Sequence, residues 1–454
     1  MRRLVVPIVC LALSACMPAT RSESPTRAAV ADTTLPPMKI FATPHPMPTS
    51  RSNRDISRDF LDLSFKMESG RALETMTRFE TPITVRVTGR PPASLQPDLS
   101  RLIYRLRNEA KIDITQTNAK NANITIEAIS RDQIKRSLPH AACFVAPNVS
   151  TITEFRNSRN SAKTNWVLLK KREKLAIFLP NDASPQEVRD CLHEELAQAI
   201  GPLNDLYRLS DSVFNDDNVH AVLTGFDMTI LRAYYDPSLS NGMTRDQVAA
   251  RLPTILARIN PRGQGRSPLY LKETPRDWIN AIQRALGPGT GPSERRASAQ
   301  HALNIARREG WNDHRLGFSH YAYARLLQSV DSDRAYTQFL YADQALRRAP
   351  HSNPHRAFVA TQLSAYKVSG GRGEEAMALI DPQLEIAARA ENAVLLATLM
   401  LLRAEALELA NRHDEAQIVR LDSLGWARYG FGPDWAVRAK LREIAALSPL
   451  KGRY

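Results

Sequence analysis

The chain has 454 residues, of which 43% are hydrophobic and 24% are charged, and this composition excludes collagen-like and wholly disordered proteins. Its length exceeds that of one ordinary domain, so we expect two or three folded units. The formal net charge is +14, yet the longest basic run, Lys170–Arg172, is followed directly by Glu173. Such a run is typical of a solvated turn, and we predict no nucleic-acid partner.

The first sixteen residues predict export. Met1–Arg3 is positively charged, Leu4–Leu13 is apolar but too short to cross a bilayer, and small residues precede Cys16. The segment Leu13–Cys16 reads Leu-Ser-Ala-Cys and resembles the lipobox of bacterial lipoproteins. The resemblance implies that residues 1–15 form a signal peptide and that Cys16 is lipidated and binds the membrane. Since the next residue is Met rather than Asp, it also implies an outer-membrane location facing the periplasm; a plain secretory signal is the alternative.

Two segments divide the remaining chain by composition. Residues 16–54 are rich in Pro, Ser, Thr and Arg, as in an extended tether. The segment Gly287–Pro292 is rich in Gly and Pro, as in a linker. We therefore predict a folded domain over residues 55–286 and a helical domain over residues 293–454.

The domain at 55–286 has the pattern of an α+β fold with a sheet. Alternating apolar residues predict strands at 83–87 and 124–128, and an amphipathic helix over 99–110 lies between them. The apolar segments at 166–169 and 175–179 predict a hairpin of the same sheet.

The helical domain contains a short internal repetition. Arg372 and Glu375 recur forty residues later as Arg412 and Glu415. Residues 342–350, Ala-Asp-Gln-Ala-Leu closed by Pro, resemble the second helix of a tetratricopeptide unit, although a spacing of forty exceeds the usual ~34 residues. The resemblance implies tetratricopeptide-like helix pairs that offer a surface to a protein partner. The alternative is an ordinary helical bundle packed on the preceding domain.

Two cysteines are left for the folded part of an exported chain. Cys10 leaves with the signal peptide and Cys16 takes the lipid, so Cys143 and Cys191 are left. In an oxidising compartment we predict a disulfide bond between them, and two buried thiols are the alternative.

Residues 184–200 predict the helix that carries the candidate site. Ser184 suits the N-cap, Pro185 suits the first helical position, and Gly201 suits the helix end. The apolar residues of the helix fall on one arc, which we expect to face the core.

The polar residues of this helix match a known metal-binding layout without its ligands. They read Glu194-Glu195-x-x-Gln198-x-x-Gly201-x-x-Asn204, which resembles the His-Glu-x-x-His-x-x-Gly-x-x-His/Asp segment of metzincin-type zinc peptidases. The resemblance implies a zincin-like fold with Glu195 at the catalytic general-base position and Glu194, Gln198 and Asn204 at the metal-ligand positions. Because neutral amide oxygens are poor zinc ligands, loss of zinc is the simpler interpretation and no cofactor is expected.

Two alternatives are open for this site. Together with Asp205, the side-chain oxygen atoms of Glu194, Gln198 and Asn204 would suit a divalent cation such as Ca²⁺ or Mg²⁺. An active hydrolase would instead use Glu195 with an unusual metal sphere. His220, paired with His193 as a distant ligand, is a weaker candidate, because a lone histidine before an apolar run is more often structural.

The same residues, together with Asn204-Asp205 and Tyr235-Asp236-Pro237, resemble a family of uncharacterised bacterial lipoproteins, a domain of unknown function. The resemblance implies membership without an established activity. We predict a lipid-anchored envelope protein, closer to a pseudoenzyme than to an enzyme, whose zincin-like domain is a binding or scaffold module for a protein partner in the cell envelope. The alternative is a divergent metal-dependent peptidase with Glu195 as general base.

Overall fold

The computed structural model describes residues 35–41 and 47–451. The predicted signal peptide, residues 1–15, and the predicted lipidation site, Cys16, lie outside these residues. Within the described part of the chain, no helix is both long and apolar enough to cross a bilayer.

A mixed five-stranded sheet lies at the centre of the N-terminal region, which confirms the predicted α+β class. The strands are β1 (Ile83–Gly89), β2 (Ile114–Gln116), β3 (Ile124–Ile129), β4 (Phe144–Pro147) and β5 (Leu175–Pro180). Their order in the sheet is β2-β1-β3-β5-β4, and only β4 runs antiparallel to its neighbour. β5 is buried along its whole length, which explains its unbroken apolar sequence.

The predicted hairpin of residues 166–169 and 175–179 is wrong. Trp166–Leu168 forms a short 3-10 helix, and β5 pairs with β3 and β4 instead. Arg172, predicted to lie in a solvated turn, is buried, and its guanidinium donates to the carbonyl oxygens of Gln198 and Ala199 at 2.8 and 2.9 Å. The end of a helix leaves such carbonyls without intrahelical partners, so the chain before β5 is held against the helix that ends there.

Helices cover both faces of the sheet. They are α1 (Asn53–Ser64), α2 (Leu95–Asn108), α3 (Arg131–Ser137), α4 (Ile152–Ser158), α5 (Pro185–Ile200), α6 (Gly225–Tyr234), α7 (Arg245–Ala249) and α8 (Leu252–Ile259). One face of the sheet, with β1, β3 and β5, packs on the main apolar core, to which α1, α2, α5, α6 and α8 contribute. The other face packs on α3 and α4 through a smaller cluster that contains Phe144 and Phe178.

A disulfide bond joins Cys143, directly before β4, to Cys191 in α5, as predicted. It ties the edge of the sheet to the helix that carries the candidate site.

The C-terminal region is helical, as predicted, and its helices form a regular series. They are α9 (Arg276–Leu286), α10 (Pro292–Arg308), α11 (His314–Leu327), α12 (Ser332–Arg348), α13 (Asn353–Ser369), α14 (Gly373–Arg389), α15 (Ala393–Leu409), α16 (His413–Phe431) and α17 (Asp434–Ala445). Each helix packs on the next, and α9, α11, α13, α15 and α17 also contact one another in succession. From α10 onward, helices in equivalent positions begin 39 to 41 residues apart.

Helix packing continues across the segment predicted to be a linker. Trp278 of α9 is fully buried and packs in one cluster with Ile305 of α10 and Phe318 of α11. The turn at 287–291 therefore lies inside the helical region, and α9 belongs with the helices that follow it.

The described end of the predicted tether lies on the folded protein. The Phe41 ring stacks on Trp426 of α16 at 4.6 Å between ring centroids, and Lys39 N–H donates to the Gly425 carbonyl at 3.0 Å. Thr49, a few residues further on, is also buried.

The N-termini of three helices contact the α+β region, and the described residues from Pro36 onward form one compact unit. At the start of α11, His314 Nε2 lies 2.7 Å from the Tyr207 carbonyl oxygen. In the first turn of α13, His355 Nε2 lies 2.8 Å from Asp217 Oδ2. The first N–H of α15, that of Ala393, donates to the Gln186 side chain of α5 at 2.8 Å.

Candidate functional site

The helix that carries the candidate site forms as its sequence predicts. The Ser184 side chain accepts a hydrogen bond from Glu187 N–H, Pro185 occupies the first helical position, and the helix ends before Gly201. Its apolar residues lie in the main core. Packing explains why glycine occupies position 201, because a Cβ atom there would lie 2.5 Å from the Leu231 side chain.

The predicted ligand positions take part in internal hydrogen bonds. Gln198 Nε2 donates to Asp205 Oδ2 at 3.3 Å, so these two side chains are brought together. Asn204 Nδ2 donates instead to the carbonyl oxygen of Asp62, at the end of α1, at 2.9 Å. Glu194 is half-buried, and the charge of Glu68 affects its ionisation. The charge of Glu194 in turn affects the ionisation of Asp205.

The carboxyl groups of this site favour the protonated form. Burial raises the pKa of Glu194 to about 8, and the negative charges of Glu68, Asp216 and Asp190 act in the same direction. Burial, together with Glu194 and Glu68, also raises the pKa of Glu195 well above its usual range. A protonated carboxyl group cannot accept a proton, so Glu195 is poorly placed to act as a general base at neutral pH.

Glu195 is also closed off. Its side chain is buried, and its Oε2 atom makes no hydrogen bond with the described residues.

A cleft of about 390 Å³ lies beside this carboxyl cluster. It is lined by the end of α1 and the residues that follow, by residues 204–208, and by the start of α9. Asn204 and Asp205 line this cleft, whereas Glu194, Glu195 and Gln198 do not. The predicted base and two of the three predicted ligands therefore lie behind the cleft wall.

Buried ion pairs hold the cleft wall in place. Arg208 donates to Asp59 Oδ1 and to Asp62 Oδ2, both at 2.7 Å. Arg51 pairs with the same Asp59 and with Asp211. Because unpaired charges are costly in the interior, this network fixes residues 204–211 against α1.

The two histidines of the weaker candidate pair have separate partners. His193 Nδ1 accepts the N–H of Leu223 at 3.1 Å, and His220 Nε2 donates to the Ser210 carbonyl at 3.0 Å. Both are held by backbone groups, as the structural alternative expects.

A polar cluster that the sequence did not predict lies where the α+β region meets the helices. One potential ligand atom from each of Asp217, His314 and His355 lies within 4.8 Å of the others, and we call these residues the junction triad. Burial lowers the pKa of His314 to about 4, and His355 adds to this shift, so the ring is neutral at pH 7. Burial would raise the pKa of Asp217, but His355 and the other nearby histidines outweigh it and lower that pKa.

The comparisons with known proteins concern the region that contains this site. Residues 53–254 match the model of the family described as Protein of unknown function (DUF2927). The match begins at the first residue of α1, ends inside α8 and includes all of α5. It supports the predicted domain of unknown function and attributes no activity to it. Neither the curated proteins nor the solved structures contain a significant match to the chain.

Proposed function

We propose that this protein is a non-catalytic binding module of the bacterial cell envelope, anchored by lipid at Cys16 and facing the periplasm from the outer membrane. Its α+β region is a zincin-like domain that has lost its metal ligands, and its helical region is a partner-binding surface. The observation that carries the proposal is the state of Glu195, which is buried, lies behind the cleft wall and favours protonation.

The residues at the ligand positions do not fit the zinc ion of a peptidase. The Asn204 amide donates to the Asp62 carbonyl and the Gln198 amide donates to Asp205. Amide oxygens are weak zinc ligands, and a protonated Glu194 would have to lose its proton before it could bind a metal.

The helical region supports the second half of the proposal. Its helix pairs recur every 39 to 41 residues, and alternate helices contact one another, as in a solenoid. Ala376 and Ala416, the fourth helical residues of α14 and α16, are both fully buried, so the repetition seen in the sequence marks equivalent packing positions. We therefore regard the region as tetratricopeptide-like with a longer repeat.

An apolar groove on this region is available to a partner. It measures about 510 Å³ and lies between residues 36–39 and α16. Two of its side chains, Ile418 and Leu421, are 68% and 59% exposed. Exposed apolar side chains that line one groove are typical of a protein-binding surface.

Peptidase activity tests the α+β half of the proposal. The full-length protein is incubated with a mixture of unstructured peptides, beside Glu195→Gln and the surface control Glu294→Gln. We expect no cleavage by any of the three. Cleavage by the wild type and by Glu294→Gln that is lost in Glu195→Gln would overturn the proposal in favour of a divergent metallopeptidase.

Photo-cross-linking in intact cells tests the helical half. A photoreactive residue at position 421 should give a discrete adduct, whereas one at the exposed Arg389 of α14 should give none. Equal patterns from the two positions would argue against a specific groove. In the same cells, Cys16→Ser should move the protein from the membrane fraction to the soluble fraction.

A further inference from the structure

The junction triad joins two parts of the chain that lie far apart in sequence. Asp217 belongs to the loop between α5 and α6, while His314 and His355 belong to the first turns of α11 and α13. The side chains of both histidines are almost fully buried, at 2% and 3% exposure. Such a cluster needs a physical reason, because buried imidazole and carboxylate groups are costly unless each polar atom has a partner.

Neighbouring acceptors already occupy one nitrogen of each histidine. A carbonyl oxygen can only accept, so His314 Nε2 carries the hydrogen that it donates to Tyr207. His314 Nδ1 then keeps its lone pair. This pattern, in which one imidazole nitrogen donates to a backbone oxygen and the other is left as a donor of electrons, is typical of metal-binding histidines.

His355 has one nitrogen with a partner and one without. Its Nε2 faces Asp217 Oδ2 at 2.8 Å, and its Nδ1 is buried and makes no hydrogen bond with the described residues. An unsatisfied buried polar atom destabilises a fold. A metal ion shared with Asp217 would bind at Nε2 in place of its hydrogen, and the hydrogen of the neutral ring would then lie on Nδ1.

Hydrogen bonds within the loop orient the carboxylate of Asp217. Its two oxygens also accept from the Asn215 side chain at 2.7 Å and from Val219 N–H at 3.1 Å. These bonds orient the carboxylate towards the two helices, as supporting hydrogen bonds do around bound metals.

The geometry points to a divalent transition-metal site formed by Asp217, His314 and His355, with one nitrogen of each histidine and one carboxylate oxygen as ligands. Two imidazoles and one carboxylate are a common ligand set for Zn²⁺ and for non-haem Fe²⁺. Metal–ligand bonds of about 2.0–2.2 Å require small inward movements of these three side chains. The site is distinct from the positions on α5 that resemble those of zinc peptidases.

Three protein ligands leave at least one coordination position open. Asp217 and His355 also line a cavity of about 190 Å³, together with apolar side chains that include Phe318, Leu346 and Phe358. The open position would be taken by water or by a small, mainly apolar molecule with one metal-binding group.

Zinc binding to the full-length protein tests this inference. The protein is purified without chelator or affinity metal, stripped with chelator, and titrated with Zn²⁺ while heat release and thermal unfolding are recorded. We expect one Zn²⁺ per chain and a rise in the melting temperature. His355→Asn and His314→Asn should each weaken binding by roughly 100-fold or more, since each removes a direct ligand.

Two control variants test whether the zinc ion binds at the triad rather than elsewhere in the protein. His320→Asn changes another buried histidine of α11, which bonds to Gln338 rather than to the triad, and it should leave zinc binding unchanged. Glu194→Gln should also leave it unchanged. Zinc lost in Glu194→Gln but kept in both triad variants would overturn this inference and the pseudoenzyme proposal together.

A measurement on the wild type covers the case in which the triad variants fail to fold. Co²⁺ in place of Zn²⁺ should give the visible absorption of a low-symmetry site with nitrogen and oxygen ligands. A folded wild-type protein that binds neither Zn²⁺ nor Co²⁺ stoichiometrically at micromolar concentration would overturn the inference. Loss of metal in the triad variants alone would support it and leave the proposed function untouched.

Discussion

Arg189 of α5 and Glu391, in the turn between α14 and α15, form an ion pair that is buried between the α+β region and the helical region. Nearby, Tyr429 of α16 donates to Asp98 of α2 at 2.8 Å. These contacts cross the boundary between the two predicted domains. Each region therefore buries polar side chains of the other.

We expect Glu391→Ala to lower the free energy of unfolding by about 3 kcal/mol. Arg189 stays charged in the interior, where the Asp98 carboxylate, 4.0 Å away, replaces Glu391 only in part. Urea denaturation measures the loss. Arg189→Met/Glu391→Ala should recover part of it, since the double variant removes both charges. Additive losses in that cycle would show that the two residues act independently.

The stability of the protein should depend on pH through the carboxyl cluster of α5. The pKa of Glu194 is about 8 in the folded protein, against 4.5 as its ordinary value, and the pKa of Glu195 is also raised. Folding therefore favours the protonated forms, and their contribution is complete below about pH 4.5 and is lost as the pH rises through about 8. Glu195→Gln, which cannot ionise, should be more stable than the wild type at pH 8.

Denaturation at pH 4.5 and pH 8 checks this expectation. The difference in unfolding free energy between the two pH values should be smaller in Glu195→Gln than in the wild type, and Glu294→Gln on the surface should behave like the wild type. Identical pH dependence in all three proteins would show that Glu195 ionises freely in the fold.

The disulfide bond between Cys143 and Cys191 should contribute about 4 kcal/mol of stability, as expected for a crosslink that closes a 48-residue separation. Guanidinium denaturation with and without reductant measures this contribution. The Cys143→Ala/Cys191→Ala variant serves as control, because reductant should not destabilise it further. A wild-type protein equally stable in reductant would contradict a structural role for the bond.

Gly225→Ala should destabilise the protein by about 1–3 kcal/mol through overpacking. A Cβ atom on Gly225, at the start of α6, would lie 2.1 Å from the Met47 carbonyl oxygen, so either the helix or the N-terminal segment must move. Gly291→Ala is the matched control at another helix start, where a Cβ atom meets open space. Thermal unfolding measures both changes. We expect a clear fall in the melting temperature for Gly225→Ala, and for Gly291→Ala a loss of unfolding free energy of at most about 1 kcal/mol.

Local sequence signals predicted the site helix and its crosslink well. Ser184, Pro185 and Gly201 define α5 through contacts with its own backbone, which a short stretch of sequence contains. Cys143 and Cys191 were identifiable as a pair because the predicted export signal would account for the other two cysteines. The hairpin prediction was wrong because the antiparallel partner of β5, β4, is only four residues long and ends in proline, so its pattern is weak.

The junction triad depends on distances that no local pattern contains. Asp217 and His355 are 138 residues apart in sequence, and in the segment directly around Asp217 the sequence pattern pointed to His220. The helix period offered one usable signal, since His314 and His355 both lie in the first turns of helices that begin 39 residues apart. Histidines in the first turns of two equivalent helices indicate a shared contact more strongly than either residue does alone.

The contact between three helix N-termini and the α+β region also has an electrostatic consequence. Each N-terminus carries a partial positive charge of about half a unit, and the loop that receives α11 and α13 contains Asp205, Asp211, Asp216 and Asp217. Separating the helices from that loop would remove the favourable interaction between the positive helix N-termini and the acidic side chains of the loop. An exchange of the helical region between related proteins would therefore have to include at least residues 204–220.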